Sequence, residues 1–492
     1  MRQFHHSPVL AGNGPVEQCL GRTWAGGTRA GATRSTRVTA ISRHAGTFPS
    51  KTSSELRGWG LEMADRRPHV VIVVVNLPAE RDRRVIRECQ ALEAAGYRAS
   101  VICPRGPQRP RLVPGTTDAR IYSFPQPLAG RGVLSFAAEF AWALTAVTVR
   151  LLGLMLRTRV DAVQACNPPD IFWVVGLLMR AVGRPFVFDH HDLSPELYEC
   201  KAGTPRPTVL RTLRLLERLS WRVATAVVAT NESFRELAME RGGCPPEKVV
   251  VVRNGPALAE VGPPTPVGRG TGAATAGRAT GGGRERQRIV YVGVINPQDD
   301  VETAVLAAER LIGLRGADDW ELVVAGDGES LPELRRLVAE RGIEDVVRFT
   351  GWLEADEVDA LLRSASIAIQ PDRPSRMAEF YTMAKTVEYV ARGVPVVAAD
   401  LGETRRTADR AASYVPNGSP DEFAKAIDQL LSDGHARAEM SRTGRQRFVT
   451  ELAWDHQVKS YIRLWNQLLR PSPNGYNRVS LGSGADAARP PS

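Results

Sequence analysis

Cysteine is sparse in this 492-residue chain, and its six copies are scattered. Cys19, Cys89, Cys103, Cys166, Cys200 and Cys244 show no two-residue or four-residue spacing, which excludes a sequence-local zinc site or redox pair. Isolated in apolar runs, they read as reduced core residues, which suits a reducing cytoplasm. The first residues lack the apolar stretch of a secretory signal; their arginine-rich, acid-poor composition is of the organelle-transit kind, and Met63, just before the first strand, is the alternative start. An uninterrupted membrane span is missing too. The one candidate, Val133–Leu156, is broken by Glu139 and Arg150, which are costly at bilayer depth, so it predicts a buried or membrane-touching helix.

Net positive charge is nearly absent from the part that should fold. Of the formal net charge of +10, residues 1–65, 257–288 and 470–492 carry +4, +3 and +2. The near-neutral remainder excludes a broad nucleic-acid footprint. A hydrophobic fraction of 43% over this length suffices for two ordinary domains.

What is present is an alternation of apolar strands with helices. His69–Asn76 (HVVIVVVN) reads as a buried strand, Arg83–Ala95 as a helix stopped by Gly96, and Arg98–Cys103 as a second strand. Further units follow at Ala162–Cys166, Asp170–Val182, Phe186–Phe188, Val209–Arg222, Ala226–Ala229 and Val249–Val252. Residues 257–287 are Gly, Pro, Thr, Ala and Arg without apolar period, which cannot offset its ordering entropy. A second series opens at Ile289. It runs through helices 302–314, 331–341, 355–364 and 382–392 and strands 321–325, 347–350, 367–370 and 394–399. The stretch Val387–Val397 (VEYVARGVPVV) shows the logic most clearly. Gly393 and Pro395 stop a helix, and the continuously apolar run after them predicts a parallel strand covered on both faces. Glu388 then lies near the mouth of an α/β sheet, where such folds hold ligands.

The reading is α/β with two doubly wound parallel sheets facing a cleft. Its parts are a disordered leader (1–65), an N-terminal Rossmann-like domain (66–256), a linker (257–288), a C-terminal Rossmann-like domain (289–450), a C-terminal helix (451–470) and a disordered tail (471–492).

Taken in order, NLPAERDRRVIREC, FDHHDLSPELY, VVRNGP, YVGVINPQDD, VVAGDGES, FTGWLEADEVDALLRSASIAIQPD and MAKTVEYVARGVPVVAAD resemble the family 4 retaining glycosyltransferases of GT-B fold. The resemblance covers residues 69–465. It implies transfer of a sugar from a nucleotide diphosphate sugar to a glycan or lipid-linked acceptor, in cell-envelope polysaccharide or glycoconjugate synthesis. The family's account has the acceptor attack on the leaving-phosphate face, with no metal and no cofactor beyond the donor substrate. Glu388 matches the second Glu of the family's paired motif, which implies donor ribose binding, and His191 matches its N-domain histidine. The alternatives of the same fold are a nucleotide-sugar epimerase and a non-catalytic partner protein.

Two departures stand out. The first Glu of the pair falls on Phe380, with Glu379 displaced by one residue. The loop Gly293–Asp300, where the family carries phosphate-binding cations, has Asn296, Gln298, Asp299 and Asp300 instead. Either Lys385 and backbone amides at helix starts hold the diphosphate, or this copy is catalytically weak; Lys385 reads otherwise as solvated. Gly293, Asn296, Gly326, Thr350 and Trp352 complete the expected donor set, the last two as nucleobase contacts. In DHHD, His191 and Asp192 are the expected catalytic pair. Glu196 either orients acceptor hydroxyls or is first-turn helix chemistry. Asp82, Arg83 and Arg84 either face the cleft or decorate a helix start. A metal-dependent phosphoesterase of the DHH type carries a similar string but needs Asp-rich motifs at other strand ends. Arg211, Arg214, Arg218 and Arg222 form one helical stripe, either a solvated face or a contact with an anionic membrane surface. The expected location is cytoplasmic, with peripheral attachment to the inner face of the cell membrane as the alternative.

Because the leader has no apolar period, deletion of residues 1–62 should leave the melting temperature unchanged. Loss of soluble protein on truncation would contradict this.

Overall fold

A computed structural model describes residues 67–126, 133–202, 204–263 and 286–470. The expected leader, nearly all of the linker and the tail lie outside the described residues.

The first half runs β1 (His69–Val73), α1 (Arg83–Ala94), β2 (Arg98–Pro104), β3 (Arg120–Phe124), α2 (Val133–Arg157), β4 (Ala162–Cys166), α3 (Trp173–Ala181), β5 (Phe186–His190), α4 (Ser194–Lys201), α5 (Pro207–Val223), β6 (Ala226–Ala229), α6 (Glu232–Glu240), β7 (Val249–Val251) and α7 (Leu258–Val261). The second half runs β8 (Gln287–Val292), α8 (Val301–Arg315), β9 (Trp320–Ala325), α9 (Leu331–Arg341), β10 (Val347–Gly351), α10 (Ala355–Arg363), β11 (Ile367–Gln370), α11 (Arg376–Phe380), α12 (Ala384–Arg392), β12 (Val396–Ala399), α13 (Gly402–Ala408), β13 (Ala412–Val415), α14 (Pro420–Ser432) and α15 (Gly434–Arg447). A last helix, α16 (Trp454–Leu469), follows.

Each half is one sheet, in the orders β3-β2-β1-β4-β5-β6-β7 and β10-β9-β8-β11-β12-β13. All named pairings are parallel. Chain order reverses between β1 and β4 and again between β8 and β11, so each sheet has a switch point at which its loops splay apart. Helix α12 ends on Gly393 with φ of 68°, the left-handed turn expected there. The parallel strands β1, β4, β5, β6, β11 and β12 are buried along their whole length.

Helices α2, α3, α5 and α6 pack on one face of the first sheet, through Val147, Leu151, Val175, Met179, Trp221 and Phe234. The other face takes α1 and, returning from the far end of the chain, α16, through Tyr461, Leu464 and Trp465. Helix α2 is the one described helix long and apolar enough to cross a membrane by length and composition. In the fold it lies along the sheet, with Ala143, Val147, Leu151 and Leu154 buried.

Two strands escape the sequence reading, β3 and β13. Both are sheet edges with only one fully buried residue each, so their apolar signal is short. The predicted helix 382–392 is α12, beginning two residues later, and the short α11 before it is not predicted; Tyr381 lies between the two.

Trp465 is fully buried between α16 and the first sheet. Trp465→Ala should cost about 3–5 kcal/mol of stability. Urea unfolding should show the loss, with faster amide exchange in β1 and β2.

Candidate functional site

The DHHD segment begins inside β5 and leaves the sheet at its carboxyl end. Asp189 is fully buried and receives Arg84 from α1 in a two-pronged pair, Nη2 to Oδ1 at 2.9 Å and Nε to Oδ2 at 3.2 Å. The remaining Arg84 nitrogen donates to Val252 O and Asn254 Oδ1, tying down the VVRNGP loop. Gln164 of β4 donates to Asp189 Oδ2 at 2.8 Å and itself accepts from Tyr461 of α16 at 2.7 Å. Arg84 therefore does not face the cleft as a free cation, and Asp82 caps α1 by accepting from Val85 N.

His191 lies 2.8 Å through Nε2 from Asp189 Oδ2, a close ion pair not aligned as a straight hydrogen bond. Burial works against a charged ring, but the Asp189 charge and contact outweigh it and hold His191 above its ordinary value. Burial would likewise raise Asp189, yet Arg84 and His191 together hold it well below the usual carboxylate range. Cys166, Asp189 and His191 offer ligand atoms within 4.8 Å of one another. They do not fit a cation, because Arg84 already supplies the positive charge at Asp189, and burial pushes the Cys166 thiol well up.

Asn167, at the end of β4, accepts from His191 N at 2.6 Å and Asp192 N at 3.1 Å and donates to Asp192 O. It thereby fixes the backbone of both expected catalytic residues. The same side chain donates to Asp170, which accepts from Ser194 Oγ and is pushed up to about 6 by burial and by nearby Glu217. Nothing in the sequence singled Asn167 out beyond its place directly after a buried strand.

Asp192 is buried and receives Tyr381 Oη of the second half at 3.0 Å, and Leu193 N donates to that same hydroxyl. More contacts join the halves. Asn231 donates to Phe380 O and Thr382 Oγ1, and Glu403 accepts from Ser233 and Arg253. The position expected to hold the first Glu thus carries an aromatic ring packed against the first half. Glu379 accepts from Gly402 N. Glu196 lies in the first turn of α4, as the second alternative had it, and is buried and paired with Arg241 at 2.6 Å.

In the second half, Gly293, Gly326 and Thr350 to Trp352 lie at the carboxyl ends of β8, β9 and β10. The first two loops meet backbone to backbone. A Cβ on Gly326, whose φ is 144°, would lie 1.8 Å from Gly293 O, and one on Gly328 2.3 Å from Ile295 O. Asn296 Oδ1 accepts from Glu329 N across them. The indole nitrogen of Trp352 is buried with no partner among the described residues.

Lys385 corrects both alternatives drawn for it. It is fully buried, 2.8 Å from Asp372, 3.1 Å from Asp299 and 3.4 Å from Tyr291 Oη, so it is neither solvated nor free for phosphate. Burial opposes its charge, but Asp372, Tyr291 and Asp299 outweigh that and hold it protonated. This knot joins the loops after β8 and β11 at the second switch point. Glu388, one turn on, is half-buried and paired with Arg392, which also binds Asp359 at 2.8 Å. The cations left exposed in the β11 loop are Arg373, beside Asp300, and Arg376, 4.0 Å from Glu196 of the first half.

Two parallel Rossmann-like sheets facing a cleft define the GT-B architecture. Residues 82–255 match the family described as "Glycosyl transferase 4-like domain", and residues 286–433 match "Glycosyl transferases group 1". The chain is a GT-B-fold member of this group 1/4 glycosyltransferase superfamily. It is 30% identical over 176 residues to the GDP-mannose-dependent alpha-(1-6)-phosphatidylinositol monomannoside mannosyltransferase of Mycobacterium tuberculosis, covering 35% of this chain and 45% of that one. It is 24% identical over 400 residues to the 2-deoxystreptamine glucosyltransferase of Streptomyces kanamyceticus, covering 78% and 98%. The match spans less than half the length of the first four curated relatives, from 39% to 47%. Among solved structures, sucrose-phosphate synthase from Thermosynechococcus elongatus superposes with a TM-score of 0.63 at 16% identity, covering 82% of this chain and 99% of that one.

The pairing at Asp189 has a titration signature. The His191–Asp189 pair contributes fully between the ordinary values of 3.8 and 6.5, because one pKa is depressed and the other raised. That contribution is lost as pH rises through the folded His191 value. In an NMR titration His191 should therefore titrate above 6.5, and Asp189→Asn should move it down. An unmoved value would show that Asp189 is not the cause.

Proposed function

We propose that this chain is a metal-independent retaining glycosyltransferase. It transfers a sugar from a nucleotide diphosphate sugar to a glycan or lipid-linked acceptor, in cell-envelope polysaccharide or glycoconjugate synthesis. In this reading the reaction is cytoplasmic, with peripheral attachment to the inner face of the cell membrane as the alternative. The observation that carries the reading is the opposition of two polar switch points, DHHD in the first half and the β8, β9 and β11 loops in the second, joined through Tyr381 and Asp192. The superfamily match supports it, and two of the relatives are named as a mannosyltransferase and a glucosyltransferase.

In this reading the second half holds the donor. Glu388 binds the ribose hydroxyls, to which a carboxylate is a strong acceptor. Gly293, Asn296 and Gly326 bring backbone against the diphosphate, and Thr350 and Trp352 flank the base. With Lys385 neutralised by two carboxylates, Arg373 and Arg376 are the cations that remain for phosphate. His191, held as an imidazolium by Asp189, faces the transferred sugar from the acceptor side. Asp192 orients the acceptor hydroxyl once Tyr381 releases it.

The test is donor binding. Calorimetry with uridine and guanosine diphosphates and their sugars should find one that binds the wild type. Glu388→Ala should weaken it by about 1.5–3 kcal/mol, the value of a charge-assisted hydrogen bond, with the melting temperature preserved. Equal affinity of the variant would remove Glu388 from the ribose site. Failure of every donor to bind the wild type would favour the non-catalytic partner reading, which Phe380 and the cation-free β8 loop also fit.

A further inference from the structure

The face of the first sheet opposite α1 and α16 is covered by α2, α3, α5 and α6, and the outward sides of the first three are not those of an ordinary solvated surface. On α2, Trp142, Val149, Leu152 and Leu156 are exposed, Val149 by 62% and Leu156 by 89%. On α3, Val174, Leu177 and Val182 just past its end are exposed, and on α5 Leu215 is exposed by 56%. Scattered exposed apolar residues are normal, but eight on three helices of one face are a patch.

On α2, α3 and α5 the exposed charges are arginines, whereas α6 on the same face exposes Glu236 and Glu240. Arg150 and Arg157 of α2, Arg180 of α3, and Arg211, Arg218 and Arg222 of α5 are exposed. Acidic side chains on the same helices turn inward or are engaged. Glu217 is fully buried on Arg241, and Glu139, half-buried, accepts from Gln126. Helix α3 contains no acid at all. Arg214, part of the stripe in the sequence, drops out of this set because it is half-buried on Glu199 at 3.2 Å.

We propose that α2, α3 and α5 form a platform that lies on an anionic lipid bilayer, with the α2 row of Val149, Leu152 and Leu156 seated at the headgroup boundary and the arginines on lipid phosphates. Exposed apolar side chains interspersed with arginines match the chemistry of that interface, where both terms act together. A second copy of this chain would bring the same arginines against themselves, since a two-fold interface repeats one surface on both sides. The platform deepens the reading of a lipid-linked acceptor and rests on it for its biological use, but its physical claim stands on this surface alone.

Flotation of the full chain with vesicles tests it. The wild type should bind equimolar phosphatidylglycerol and phosphatidylcholine at low salt and ignore pure phosphatidylcholine. Arg211→Gln, Arg218→Gln and Arg222→Gln together should lower partitioning on the order of 100-fold, with each arginine near the surface contributing about 1 kcal/mol. Val149→Ser, Leu152→Ser and Leu156→Ser together should lower it at least tenfold and abolish what survives high salt. All six side chains are exposed, so both variants should keep the wild-type melting temperature. Wild-type protein indifferent to anionic vesicles overturns the proposal, including the case in which another part of this chain or a second copy covers the face. So does either triple variant binding like wild type, which would place the contact elsewhere. Nucleotide binding is measured without vesicles, so failure here leaves the donor reading standing.

Discussion

The first half of this protein depends on one buried ion pair, Arg84 with Asp189. A guanidinium with 2% of its side chain exposed persists as a cation only if every donor finds an acceptor, and it finds Asp189, Val252 O and Asn254. Such a pair adds little net stability against an apolar replacement, because desolvation offsets its attraction. Its use is geometric: α1, β5 and the loop after β7 can meet in only one arrangement. His191 and Asn167 are then built on that arrangement, so the polar mouth of the sheet inherits its precision from a contact beneath it.

The second half repeats the device with a lysine in place of the arginine. Lys385 is the buried cation on a helix, and Asp372 and Asp299 are its acceptors on the two loops that part at the switch point. Both sheets thus fix the place where their loops diverge by burying a cation under it. The cost is a mouth with few free positive charges, which moves the burden of meeting an anionic ligand to Arg373, Arg376 and backbone amides.

Between the halves the contacts are mostly polar. They include Tyr381 on Asp192, Glu403 with Ser233 and Arg253, and Arg406 with Glu236, and relative motion of halves joined in this way is the physical expectation. In the proposed reading, Tyr381 occupies the carboxylate that an acceptor would need. Helix α16 ties the far end of the chain back to the first sheet, where Tyr461 reaches Gln164 and through it Asp189. The sheet faces are used unequally: one is closed by α1 and α16, and the other carries helices whose outer sides remain apolar.

Much of the architecture was legible in the chain because local rules and burial agreed. Continuous apolar runs such as HVVIV and VVAA are strands wherever both faces are covered, and Gly393 ends a helix whatever lies beyond it. The positions of His191 and Asp192 at the end of β5 followed from the same punctuation, whereas Glu388 lies within α12. The edge strands β3 and β13 did not follow, since half-exposed strands carry too short an apolar signal. Nor did the fates of Arg84, Lys385 and Glu196, all charged residues on helices, for which sequence offers a solvated face as readily as a buried one. Their partners lie 105, 86 and 45 positions away in sequence, and only the packing of the sheets brought them within hydrogen-bond reach. A side chain's periodicity is set by its own helix, but whether its charge is spent or free is set by what the fold places against it.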